Sequence, residues 1–161
     1  MEIRPYEPHH LTEMLRLFCD TVHTINAADY SLAQQEAWAP YSVIDDIETR
    51  LRWGASLQKH LSLIAWEGQQ MAGFADIDLA AGYLDRMYVS RYFQRQGVAS
   101  ALLTALEQAA MEAGCSAIRS DVSITAKPFF EKMGFRVLCR QEVVRRGVTL
   151  TNFQMEKILS I

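Results

Sequence analysis

The sequence has only three cysteines in 161 residues, Cys19, Cys115 and Cys139, and no two form a C-x-x-C pair. An odd, scattered set excludes a disulfide framework and gives no zinc knuckle, so free, buried thiols in a reducing, cytoplasmic setting are expected. Four prolines and eight glycines are too few for a collagen-like or low-complexity chain. His9 and His10 are adjacent while His23 and His60 stand alone, which matches no familiar ligand spacing; no metal is expected. No apolar run approaches the ~20 residues of a membrane helix. The start, MEIRPYEPHH, lacks a basic segment followed by an apolar one, so no secretory signal and no membrane partner are expected. Lys/Arg-rich runs with interleaved aromatics are also missing, and nucleic acid is not an expected partner.

Half of the residues are hydrophobic and 22% are charged, enough for one domain, residues 1–161, to bury its own core. Charge is uneven. Residues 1–90 hold 13 acids against 6 bases, residues 91–161 hold 6 against 10, and the net is −3. A basic C-terminal part suits either a polyphosphate ligand or ordinary solvated surface.

The pattern alternates over MEIRPYE, a first strand that Pro5 and Pro8 place near an edge. From His10 to Asn26, Leu11, Met14, Leu15, Phe18, Val22 and Ile25 recur at helical spacing. Ser31 and Gln34 form a capping box for a short helix ending at Pro40, and Asp45–Trp53 reads as another, stopped by Gly54. Leu61–Glu67, Met71–Leu79 and Tyr83–Val89, joined by short turns, predict an antiparallel meander. A helix from Val98 stops at Gly114, and Ala117–Val122 is a buried strand. Thr125 is the expected cap of a short helix with Pro128 in its first turn and Gly134 at its stop. Phe135–Arg145 and Val148–Lys157 close the chain as a hairpin. The fold class is therefore α+β, in the order β-α-α-β-β-β-α-β-α-β-β, on a mixed, mostly antiparallel sheet.

Chemistry concentrates in YLDRMYVSRYFQRQGVASALLTALEQAA. A strand ends at Val89, Gln94-Arg95-Gln96-Gly97-Val98-Ala99 follows, and a long helix begins at once. Free N–H groups in a first helical turn carry about half a positive charge, and a glycine lets backbone approach a bulky anion. Arg95 adds a permanent cation. The combination makes a pyrophosphate cradle built mainly from main chain, although many helices begin after glycine with nothing bound. Neither the Walker pattern nor the three-glycine dinucleotide fingerprint is present.

This stretch resembles motif A, R/Q-x-x-G-x-G/A, of the GCN5-related N-acetyltransferase (GNAT) family, with Gln94, Gly97 and Ala99 on its defining positions. Ala126, Phe129, Glu131-Lys132 and Gly134-Phe135 resemble its motif B, in order and at the right separation. DYSLAQQEAW, SITAKPFFEKMGF and RRGVTLTNFQMEK narrow the likeness to the YafP-type branch.

The resemblance implies a GNAT-like sheet and acetyl-CoA as donor co-substrate. It implies that Gln94, Arg95, Gln96, Gly97, Val98 and Ala99 hold the pyrophosphate, with Ser100 at the helix start. Met87, Tyr88 and Val89 would form the strand end that pairs with the pantetheine arm, as an added strand would, with Phe130, and less so Phe129, beside it. Two departures stand out. Ser123 occupies the usual Asn position of motif B, and Phe130 replaces the Tyr that protonates the leaving thiolate in many members. At the usual glutamate position stands Tyr83, with Asp85 two residues on, and Asp121 ends the next strand. Tyr83 is the expected substitute acid and Asp85 or Asp121 the base. The ordinary alternatives are that Tyr83 packs and Asp85 pairs with Arg86. Tyr30, Trp38 and Tyr41 are expected as an aromatic wall for the acceptor, a small-molecule amine or hydroxylamine acetylated directly in a ternary complex. Asn152 is either a further contact or a sheet-edge residue, and Trp53 is read as core. Acetylation of protein N-termini or lysines, a non-catalytic acyl-CoA sensor, and an unrelated α+β binding module stay open. Family members are often dimers, which leaves a homodimer open as well.

Overall fold

Strand β1 (Glu2–Pro5) lies at the margin of a seven-stranded sheet, where a proline costs the ladder least. In this computed structural model, which describes residues 1–159, the strand order is β1-β2-β3-β4-β5-β7-β6. Strands β2 (Leu61–Glu67), β3 (Gln70–Asp78) and β4 (Tyr83–Val89) form the expected antiparallel meander. Strand β5 (Ala117–Ser123) runs parallel to β4, and the hairpin of β6 (Arg136–Arg145) and β7 (Val148–Ile158) completes the sheet through β7.

Each face is buried by helices whose apolar stripes match it. Helix α4 (Val98–Glu112) presents Leu102, Leu103, Leu106 and Ala110 to Ala75, Ile77, Ile118 and Met155. Helix α1 (Leu11–Thr24) presents Met14, Leu15, Phe18 and Val22 to the opposite face, in a cluster with Ile64, Trp66 and Phe74. Covered on both sides, β3 is buried without a break from Met71 to Ile77.

Local signals hold where they involve neighbouring residues. Helix α2 (Leu32–Trp38) has its capping box: the Gln34 N–H donates to Ser31 Oγ at 3.1 Å, and the Ser31 N–H to Gln34 Oε1 at 2.9 Å. Helix α3 (Ile47–Lys59) corrects the expected stop at Gly54. A mid-helix glycine costs about 1 kcal/mol, too little to end a helix that Asp46 caps and Trp53 and Leu57 anchor in the core. Helix α5 (Lys127–Lys132) is not capped by Thr125. Ser123 Oγ instead accepts from the Ala126 N–H at 3.1 Å, three residues along the chain.

Candidate active site

Strands β4 and β5 touch through one register pair, Tyr83 with Arg119, whereas β5 and β7 pair through seven. Beyond that vertex they splay, so the outer edge of β4 from Asp85 to Val89 lacks a partner strand. The splay opens into a cavity of about 560 Å³, within the range of small-molecule sites.

β4 is not a plain strand. Asp76 pairs with Arg86 but Ile77 pairs with Leu84, so Asp85 is the extra residue of a bulge. The displaced alternation follows: Leu84, Met87 and Val89, three and then two residues apart, all pack towards α4.

At the cavity's mouth, Gly97 caps α4 at φ 80° with no capping side chain, and Arg95 adopts φ 59°, a conformation uncommon for a non-glycine residue. The first-turn N–H groups of Val98, Ala99 and Ser100 precede the first intrahelical bond, which Ala101 makes to the Gly97 carbonyl at 3.0 Å. Gln94 turns its side chain inward, donating to the Val89 carbonyl at 2.8 Å, so it ties the loop to β4 and leaves main chain to face a ligand. Gly73 lets this loop sit close: a Cβ there would fall 2.9 Å from the Tyr88 carbonyl oxygen and 3.0 Å from Val98 Cγ1.

Met87, Tyr88, Val89, Gln94, Arg95 and Gly97 to Ser100 all border the cavity, as do Ser123 and Phe130. Gln96 stays outside the lining, exposed, with its side chain on the Tyr92 carbonyl at 3.4 Å. Phe130 packs edge-on against Phe129 and Phe135 and is 4% exposed.

Two of the candidate acid–base residues, Tyr83 and Asp121, meet at the vertex. Tyr83 donates its hydroxyl proton to Asp121 Oδ2 at 2.9 Å, and burial, reinforced by the Asp121 carboxylate, pushes that hydroxyl above the usual phenol range. Asp85 and Asp121 border the cavity and Tyr83 does not. Asp85 does approach Arg86, with 3.4 Å between Oδ2 and Nη1.

Of the expected aromatic wall, Trp38 borders the cavity. Tyr30 is 5% exposed, and its hydroxyl is committed, donating to the Thr151 carbonyl at 2.6 Å and accepting from the Ile124 N–H at 2.9 Å. Tyr41 lies outside the lining, half exposed, against Asp20 and His23. Asn152 is not at a sheet edge, since β7 is paired on both sides, to Ser123 in β5 and Gln141 in β6. It accepts from the Gln141 side chain at 3.0 Å. Trp53 is core, 7% exposed.

Other lining residues were not singled out from the sequence. Thr21 donates to the Val89 carbonyl at 3.0 Å, and Asn26 Nδ2 reaches Ser123 Oγ at 3.4 Å. Their signal was present: Thr21 stands three residues after Phe18 on the apolar stripe of α1, a polar break in a hydrophobic pattern. Thr125 also borders the cavity, and its Oγ1 is buried without a partner among the described residues.

Comparison with known proteins agrees with this geometry. Residues 26–157 match the model of the acetyltransferase (GNAT) domain. The "Uncharacterized N-acetyltransferase YafP" of Escherichia coli strain K12 is 36% identical over 155 residues, covering 96% of this chain and 94% of that protein. A GCN5-related N-acetyltransferase structure from Rhodopseudomonas palustris, also titled an aminotransferase of class II, superposes with a TM-score of 0.90 at 33% identity. It covers 98% of this chain and 95% of that one. The PaiA N-acetyltransferase of Thermoplasma acidophilum, solved with coenzyme A, shares the fold at a TM-score of 0.76 and 22% identity over 98% of both chains. Splayed strands, glycine-opened helix and these likenesses together place the chain in the GNAT family of N-acetyltransferases, in the neighbourhood of YafP.

Proposed function

We propose that the protein transfers the acetyl group of acetyl-CoA directly to the amine, or hydroxylamine, of a small molecule in a ternary complex. The observation that carries this reading is the cavity's division of charge. Arg95 and the free amides of α4 sit at the mouth, whereas Asp85 and Asp121 stand near the vertex, each two residues past the last β4–β5 pair. The cationic end suits a diphosphate, and the carboxylate end suits an ammonium.

The residues fit the donor. The unpartnered edge of β4 offers main-chain groups to pantetheine amides, and the first turn of α4 offers N–H groups to the pyrophosphate. Acetyl-CoA supplies the thioester; the chain binds it, orients it and takes up a proton. An amine of pKa near ~10 arrives protonated at neutral pH, so a carboxylate at the vertex has work as a base. Asp85 and Asp121 are the proposed bases. Tyr83, its proton already donated to Asp121, serves better to orient that carboxylate than as an acid. With Phe130 in place of a phenol, coenzyme A leaves as a thiolate, an acceptable leaving group because an ordinary thiol has a pKa of ~8.5.

A panel of primary amines, aryl hydroxylamines and peptides, followed by thiol release, tests the proposal. Turnover with small amines and not peptides supports it. Peptide turnover alone would move the acceptor to protein N-termini or lysines, and tight donor binding without any turnover would make the protein an acyl-CoA sensor.

A further inference from the structure

Beneath the Asp85 bulge lies a buried ionic network, Asp76, His60 and Arg86, none of which borders the cavity. Asp76 of β3 is 0% exposed, and its Oδ2 is held by His60 Nδ1 and Arg86 Nη1, each at 2.7 Å. Arg86 continues to Ser56 Oγ at 2.7 Å through Nη2, and its guanidinium lies 4.6 Å from the Trp53 ring centroid. Both partners of Asp76 also lean towards the bulge: Asp85 Oδ2 is 3.4 Å from Arg86 Nη1 and 3.9 Å from His60 Nδ1. Asp76 Oδ1 has no partner among the described residues.

Burying such a network is expensive, and apolar replacements of similar volume often do as well for stability alone. A metal site is the first alternative, since ligand atoms of His60, Asp76 and Asp85 lie within 4.8 Å of one another. Arg86 already fills that space with a guanidinium, so the cluster has its cation. What the network does achieve is to staple β3, β4 and the end of α3 at one of the two residue pairs that flank the bulge, Asp76 with Arg86.

We propose that Asp76, His60 and Arg86 are positioning residues for acyl transfer: they fix the β4 bulge so that the Asp85 carboxylate faces the acceptor's ammonium group. This rests on the function proposed above. Asp85 takes one proton from the ammonium; the freed lone pair forms the C–N bond as the C–S bond breaks, and the second nitrogen proton goes to the departing thiolate. Arg86, divided between two carboxylates, steadies Asp85 without being its sole partner.

A double-mutant cycle between Asp76→Asn and Asp85→Asn tests this, with kinetics on an amine that the wild type acetylates and a separate titration of coenzyme A. Asp85→Asn is expected to lower kcat/KM for the amine about 100-fold. Asp76→Asn is expected to lower it about tenfold or more, with KM for acetyl-CoA and affinity for coenzyme A within about twofold, and the double variant should match Asp85→Asn alone. If Asp76→Asn does not fold, His60→Ala, which removes one of the two anchors of Asp76, carries the same cycle. An unimpaired Asp85→Asn, or losses that multiply in the double variant, would overturn the positioning role while leaving the function standing. Loss of coenzyme A binding by the wild type would instead fall on the function.

Discussion

At position 97 the chain needs a left-handed residue, φ 80°, with open space where a side chain would stand. Gly97→Glu therefore strains the backbone by about 1–2 kcal/mol and sets a carboxylate beside amides that favour an anion. The expected outcome is a slightly lower melting temperature and loss of coenzyme A binding; unchanged affinity would disconnect this turn from the donor. Cysteines give a second residue-scale test. Burial pushes the Cys19 thiol up to about 12, while Cys139 is exposed on β6. A thiol reagent at pH 8 should therefore label Cys139 first and reach Cys19 only on unfolding.

Elements account for how much could be read in advance. The Ser31 box is a contact between residues three apart, and truncating Ser31 to Ala is expected to cost about 1 kcal/mol by urea denaturation. Such neighbours lie within one turn, so the Ser31 cap, the stop at Gly114 and strands close to 61–67, 83–89 and 148–157 were visible in the sequence. The Gly97 turn that opens α4 was visible for the same reason, its glycine and helix being contiguous. The Asp85 bulge was not, because it depends on how Asp76 and Ile77, across a turn, register against Arg86 and Leu84. Nor was the fate of Tyr30, whose ring reads as a pocket wall until its hydroxyl meets Thr151, 121 positions away. Gly54 misled because a helix end is set by what its next turn can bury, and Leu57 is 1% exposed.

For the molecule as a whole, alkaline stability follows from its tyrosines. Burial is the leading cause that raises Tyr6, Tyr30, Tyr41, Tyr83 and Tyr88, with Tyr41 reaching about 12 beside Asp20. Each phenol holds its proton longer folded than unfolded, so the unfolded state binds fewer protons and stability falls as pH rises through and beyond ~10. Absorbance at 295 nm should show most tyrosines ionising late, together with loss of near-ultraviolet circular dichroism; full ionisation near pH 10 in a still-folded protein would contradict it. Both faces of the sheet share this tight burial, and the β4–β5 splay is the gap between them that a ligand can enter.

The most direct test of the account is a titration of purified protein with coenzyme A and acetyl-CoA at physiological salt, followed by tryptophan fluorescence, since Trp38 borders the cavity, and by melting temperature. Saturable one-to-one binding with a raised melting temperature, abolished by Gly97→Glu, is the expected outcome. No saturation by either ligand up to millimolar concentrations would contradict it.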